Sequence, residues 1–273
     1  MIGAIIGDLI GSVYEYRELK TKDFPLFTAY SDITDDSILT FAVYEALEKC
    51  NGVYDDLGKK TIREFVRYYA RYPNPTGGYG GSFLAWVDKI YRTQKIAPPY
   101  YSYGNGSAMR ISPVAYFARS LEHCLDLARK VTEVTHNHPE GLKGAEATAA
   151  AVYLALQGKS KEAIKEYIQK HYYSLNKTCD EIRQTYGFAI ECERTVPESI
   201  QAFWESSDFE DAIRLTVSLG GDADTMGAIT GAIAGAYYGV PSSFVDKLFE
   251  YLDDFCTDVA KRMLKRIEEV KPF

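Results

Sequence analysis

Gly220-Gly221-Asp222-Ala223-Asp224-Thr225 runs directly into Met226-Gly227-Ala228-Ile229-Thr230-Gly231-Ala232-Ile233-Ala234-Gly235-Ala236-Tyr237-Tyr238-Gly239. The segment sets a dense acidic cluster at the start of an almost wholly small-residue helix. Gly227, Gly231, Gly235 and Gly239 recur every fourth residue and so share one side of that helix, where glycine costs stability unless another backbone approaches closely. The helix is therefore expected at the packed centre. Asp222 and Asp224, two residues apart, point to different sides of a regular helix and converge only in an irregular turn before it. One carboxylate at this place reads as a plain helix cap. Two carboxylates and a hydroxyl within four residues read better as ligands of a hard cation, because closely spaced negative charges repel unless a cation neutralises them.

The N-terminus repeats the pattern. Gly3, Gly7 and Gly11 lie four apart in a first helix expected over residues 2–18, and two glycine-faced helices invite each other's backbones. Asp8, Ser12 and Glu15 then form one polar strip on an otherwise apolar helix, a pattern that is as well explained by a solvated side. After a loop over 20–32, Thr34-Asp35-Asp36-Ser37 opens a second acidic helix start, followed by Ile38, Leu39, Ala42, Val43, Ala46 and Leu47 at helical spacing. The same spacing predicts helices over 61–70, from about Phe83, from near Ser107, and over 121–134, 139–156, 161–170, 197–204 and 209–219. A closing helix is expected over 240–267, broken near Asp253. The Gly- and Pro-rich segment 72–82 and the tyrosine-rich segment 98–106 read as loops. Alternating strands are absent and no linker divides the chain, so the expectation is an all-α fold, one compact multi-helical domain over 1–273.

Bulk properties exclude several classes. Hydrophobic residues at 46% and charged residues at 25% describe an ordinary globular protein rather than a disordered one. A net charge of −7 argues against nucleic-acid backbone as the main partner. The opening residues lack a basic region and are cut by Asp8, unlike a signal peptide, and the glycine helix is too short for a membrane span. Five scattered cysteines without CxxC spacing read as reduced thiols, which together with these absences predicts a soluble cytoplasmic protein.

Thr34-Asp35-Asp36 and Asp222-Ala223-Asp224-Thr225 share one make-up, a hydroxyl beside carboxylates at a helix start. Singly, each is a cap. Together with Glu15 they supply enough hard oxygens for two divalent cations, and oxygen-only ligation suits Mg²⁺ or Mn²⁺ rather than structural zinc. With the opening Gly3-x-x-x-Gly7-Asp8-x-x-Gly11-x-x-x-Glu15 and Gly104-Asn105-Gly106-Ser107-Ala108-Met109-Arg110, these motifs resemble, in order along the chain, those of the ADP-ribosylglycohydrolases. The resemblance implies an all-helical fold and a dinuclear Mg²⁺ or Mn²⁺ centre held by Thr34, Asp35, Asp36, Asp222, Asp224 and Thr225, with Glu15 a nearby carboxylate tied to it. Ser37 and Ala223 stand where the family commonly has threonine. Ser37 keeps the hydroxyl and Ala223 does not.

The resemblance also gives the glycine-rich loops a role. Backbone N–H groups of Gly78, Tyr79, Gly80, Gly81 and Ser82, and those of Asn105, Gly106, Ser107 and Ala108, are placed to cradle a diphosphate, though tight turns need the same residues. Family members contact ADP-ribose through the second loop, which singles out Ser107 and Met109, and one of Tyr100, Tyr101 and Tyr103 is a candidate to stack on adenine. In Thr135-His136-Asn137-His138 no third ligand makes a zinc site. His136 is expected to touch ribose or diphosphate, His138 to be structural, and Arg110 to be either an ion-pair partner or a phosphate ligand.

The implied reaction is hydrolysis of the glycosidic bond joining ADP-ribose to an acceptor carried by a protein or a small molecule. Either Asp35 or Glu15 would be the base that takes the proton of the attacking water. Arginine-linked ADP-ribose is the first choice of substrate, serine-linked ADP-ribose or O-acetyl-ADP-ribose the alternative. A catalytically silent ADP-ribose-binding or structural member of the family is the alternative from another class. Oligomeric state is not written in these motifs.

Overall fold

The computed structural model describes residues 1–270, which form fifteen helices with no β-strand among the described residues. Helix α1 (Ile2–Gly11) and helix α13 (Ala223–Tyr237) pack along their glycine faces, and every residue of α1 is buried. A Cβ on Gly3 would lie 2.1 Å from the Gly231 carbonyl oxygen. One on Gly7 would lie 1.9 Å from that of Gly227, and one on Gly11 2.2 Å from that of Ala223. The four-residue spacing thus encodes backbone contact along the whole of α1. Gly239 does not share in it. Nothing approaches it, its φ is +84°, and it follows the α13 C-cap Tyr238, so it ends the helix instead of packing it.

Around this pair stand α8 (Pro139–Leu156), α11 (Cys192–Glu205) and α12 (Phe209–Val217), each against α13. The alanines of α8, Ala145, Ala147 and Ala149 to Ala151, are fully buried and allow that approach. Helix α2 (Asp35–Glu48) packs on α1 and on α3 (Leu57–Arg71), which packs on α4 (Gly81–Thr93). The chain is an all-helical single domain. All five cysteines are buried free thiols, and no helix among the described residues is long and apolar enough to cross a membrane.

Several boundaries differ from the periodicity. Helix α1 stops at Gly11 instead of running to Glu18. Beyond it Tyr14 and Arg17 donate to the carbonyls of Gly11 and Tyr14 in successive turns, so Asp8 and Glu15 do not share a helical strip. Helix α11 starts at Cys192, five residues before Pro197, the residue type that suits a first turn and sets the expected start. The helix expected from near Ser107 is only the short α5 (Gly106–Met109); α6 (Val114–Phe117) and α10 (Cys179–Thr185) are too brief for apolar spacing to outline, and α10 is set by a capping box between Thr178 and Glu181. The closing segment is indeed broken, into α14 (Ser242–Phe249) and α15 (Asp254–Val270).

Candidate active site

The starts of α2 and α13, brought together by the α1–α13 contact, face one cavity of about 310 Å³. Asp35, Asp36, Asp222, Asp224, Thr225 and Glu15 all line it. Glu15, Asp222 and Asp224 offer carboxylate oxygens that lie within 4.8 Å of one another. Asp36 Oδ2 accepts from the hydroxyl of Thr225 at 3.4 Å and lies 3.4 Å from that of Thr34, while its Oδ1 is buried with no hydrogen-bond partner. Thr34 lies behind the lining, its Oγ1 donating to Asp8 at 2.7 Å. The same oxygen accepts from Asp36 N at 3.3 Å as the N-cap of α2, which leaves it one lone pair.

Asp8, placed by its spacing on a polar strip that could have been solvated, is fully buried. It accepts from Thr34 N at 3.0 Å, Thr34 Oγ1, Ser37 N at 3.1 Å and Ser37 Oγ. A carboxylate from α1 thereby caps the start of α2. On the other side Asn105 Nδ2 donates to Asp222 Oδ2 at 2.7 Å and to Thr195 Oγ1 at 3.3 Å. Both acidic turns are held by neighbours from elsewhere in the chain.

The electrostatics are those of an acid cluster in need of positive charge. Burial, and then the charge of Asp224, push Glu15 up to about 7 and hold Asp35, Asp36 and Asp222 well above the usual carboxylate range. Asp8 is pushed up to about 7 by the same two causes in the same order, against the pull of its hydrogen bonds. Crowded carboxylates, hydroxyls with free lone pairs and an orphaned buried Asp36 oxygen fit a hard cation, which favours all-oxygen sites.

The rest of the cavity is suited to an anion. Gly77 and Gly78 take φ of +77° and +81°, turning the chain into α4, whose N-cap Gly80 has no side chain to occupy the free N–H groups of the first turn. Gly78, Tyr79, Gly80, Gly81 and Ser82 all line the cavity, with the Tyr79 hydroxyl fastened to the Tyr72 carbonyl at 2.9 Å. Asn105, Gly106, Met109 and His136 line it too. Ser107 does not: its hydroxyl donates to the Gly141 carbonyl at 2.8 Å, beneath the loop. The N–H of Asn105 is used on Ile190 and that of Ala108 on Asn105, so this second loop has fewer free donors than its composition suggested.

Arg110, left open between two roles by the sequence, is buried against the rings of Phe65 and Phe83 and lines the same cavity. Its Nη2 donates to Thr135 Oγ1 at 2.8 Å and lies 3.3 Å from His136 Nδ1. Burial and the Arg110 charge hold His136 well below its ordinary value, so the imidazole is neutral. Since a guanidinium can only donate, Nδ1 is the acceptor and Nε2 carries the proton. His138 caps α8 through Glu140 N, the structural role expected of it. Of the three tyrosines only Tyr100 lines the cavity, edge-on to His136. Tyr101 and Tyr103 sit outside against His138.

Periodicity gave no hint of Tyr16, Phe188 and Ile190, which complete the lining from a turn and a loop. Nor did it single out Asp8 or Asn105 as supports for the acidic turns, because such roles depend on contacts between distant segments.

An all-helical protein with a buried acid cluster beside an uncapped helix start is thereby defined, and comparison with known proteins gives the family. Residues 1–272 match the model of the ADP-ribosylglycohydrolase family, and the chain belongs to it. It is similar to the ADP-ribosylhydrolase ARH3 of Bos taurus, 26% identical with 98% of this chain and 91% of that one covered. It is also similar to the ADP-ribosylarginine hydrolase Tri1 of Pseudomonas putida (strain GB-1), 28% identical over 91% of this chain and 72% of the other. Among solved structures, an ADP-ribosylglycohydrolase-related protein complex superposes with a TM-score of 0.72 at 23% identity, covering 99% of this chain and 95% of that one, which establishes the shared fold.

Proposed function

We propose that the chain hydrolyses the glycosidic bond between ADP-ribose and an acceptor, releasing ADP-ribose, with arginine-linked ADP-ribose as the first substrate. The observation that carries this is the convergence of Glu15 and of two acidic helix starts, from opposite ends of the chain, on a cavity shared with the uncapped start of α4. One of the two relatives named above is an ADP-ribosylarginine hydrolase.

The cradle of α4 N–H groups, the Nε2–H of His136 and the charge of Arg110 hold the diphosphate and an adjoining hydroxyl. Thr34, Asp35, Asp36, Asp222, Asp224 and Thr225 would hold two Mg²⁺ or Mn²⁺ ions, which when bound supply Lewis acidity for ribose hydroxyls and lower the pKa of water. Cleavage at the anomeric carbon builds positive charge, and the ring of carboxylates stabilises it. Asp35 or Glu15 accepts the proton of the attacking water.

Asp224→Ala tests the reading. ADP-ribose release from arginine-ADP-ribosylated protein, with Mg²⁺, Mn²⁺ or EDTA, should be chelator-sensitive in the wild type and fall by about a hundredfold or more in the variant. Near-normal turnover in the variant would overturn it.

A further inference from the structure

At the mouth of the cavity three large apolar side chains stand in water. Tyr16 is 70% exposed, Phe188 41% and Ile190 53%. The rings of Tyr16 and Phe188 are stacked, with centroids 5.4 Å apart and planes at 29°. Exposed apolar groups gathered at a pocket mark a contact surface, and this one is fixed in place. Asn105 N donates to Ile190 O at 2.7 Å, Cys192 N donates to Tyr103 O at 3.1 Å, and Thr195 Oγ1 donates to Ala189 O at 3.2 Å. The loop bearing Phe188 and Ile190 is thereby tied to the cavity wall. The Tyr16 hydroxyl hydrogen-bonds Glu15 and feels the charges of Asp224 and Asp222, so the aromatic pair flanks the carboxylates of the acid cluster.

We propose that the Tyr16–Phe188 pair is the acceptor platform of the enzyme and that it selects a planar cation, the guanidinium of an ADP-ribosylated arginine. A guanidinium stacks on aromatic faces through its delocalised charge, and carboxylates beside the rings add attraction that a neutral serine side chain cannot use. Adenine would also stack there, but it carries no positive charge to match the adjoining carboxylates. The proposal rests on the hydrolase reading above and adds to it the residues that choose the acceptor.

The test compares the wild type with Tyr16→Ala, Phe188→Ala and the ring-preserving Tyr16→Phe, each loaded with Mn²⁺. Three quantities are measured: KM and kcat on arginine-ADP-ribosylated protein and on serine-ADP-ribosylated peptide, the Kd of free ADP-ribose, and inhibition by agmatine, an arginine analogue. The expected result is a rise of about five- to tenfold in KM for the arginine conjugate and in the agmatine inhibition constant for both alanine variants. Tyr16→Phe should keep the wild-type KM and agmatine inhibition constant, with any change confined to kcat through the lost hydrogen bond to Glu15, and the Kd of ADP-ribose should stay within about twofold. Weakened binding of free ADP-ribose would overturn the proposal by putting adenine on the pair, as would unchanged kinetics on the arginine conjugate. Wild-type release from the serine conjugate alone would overturn it while leaving the hydrolase reading intact. Failure to release ADP-ribose from either conjugate would remove both.

Discussion

Thr34 Oγ1 donates to Asp8 Oδ1 at 2.7 Å, and through this bond the first helix sets the position of the second. Asp8 sits one residue after Gly7, whose Cα touches the backbone of α13, and α13 begins at the other acidic turn. One rigid helix pair therefore carries Asp224 directly and orients the start of α2 through Asp8. Asp8→Asn sets an amide group against the hydrogen-bond donors of Thr34 and Ser37. The expected cost is about 1–3 kcal/mol of stability, together with weaker cation binding, read by denaturant titration and by calorimetry with Mn²⁺.

Gly7→Ala tests the helix contact itself. The added methyl would meet the Gly227 carbonyl oxygen at 1.9 Å, and a helix backbone cannot rotate aside as a side chain does. A loss of about 3 kcal/mol or more is expected, above the usual range for overpacking. Gly80→Ala is the control: nothing lies within 4 Å of that position and its φ is −53°. It should leave Tm within about 1 °C while weakening ADP-ribose, because the methyl projects at the mouth of the α4 cradle.

The sequence carried the glycine contact and both acidic turns because each is local: a four-residue period, or adjacent carboxylates before an apolar run. Asp35, Asp36, Asp222, Asp224 and Thr225 meet at the cavity as those motifs suggested. What was not legible depends on contacts between distant segments. Asp8 read as one of three residues on a polar strip, solvated or not, because the period continues past Gly11, where the chain in fact turns. Ser107 matched a motif yet turns inward to Gly141, and Tyr16 and Phe188 lie far apart in the chain and are joined only by the fold.

Asn105 was a candidate substrate contact, but its amide is taken by Asp222 and Thr195. Those bonds give Asn105, which still lines the cavity, a second expected role in positioning the acidic turn. Asn105→Ala should lower cation affinity about 10- to 100-fold, the usual effect of losing a partner of a metal ligand. Saturating Mn²⁺ should restore most of kcat, which separates this role from direct contact with substrate, where excess cation would not help.

Cation binding should depend on pH with a definite sign. Glu15 and Asp8 are pushed up to about 7, and Asp35, Asp36 and Asp222 well above their usual range, so without a cation these groups hold protons at mildly acid pH that the unfolded chain releases. Their raised values make the cation-free protein less stable as pH climbs from the ordinary carboxylate range through 7. The buried Met1 amine, lowered to about 5, and neutral His136 work the other way, since each is stabilised as pH rises. The difference between Mn²⁺-loaded and EDTA-treated protein removes such contributions common to both states. A cation must displace protons from the cluster, so its stabilisation should grow from pH 5 to pH 8, at roughly 2–4 °C in Tm for each kcal/mol. Thermal unfolding across that range checks it, and Asp224→Ala should lose most of the increment. A wild-type increment independent of pH would mean that the cation does not bind at these carboxylates.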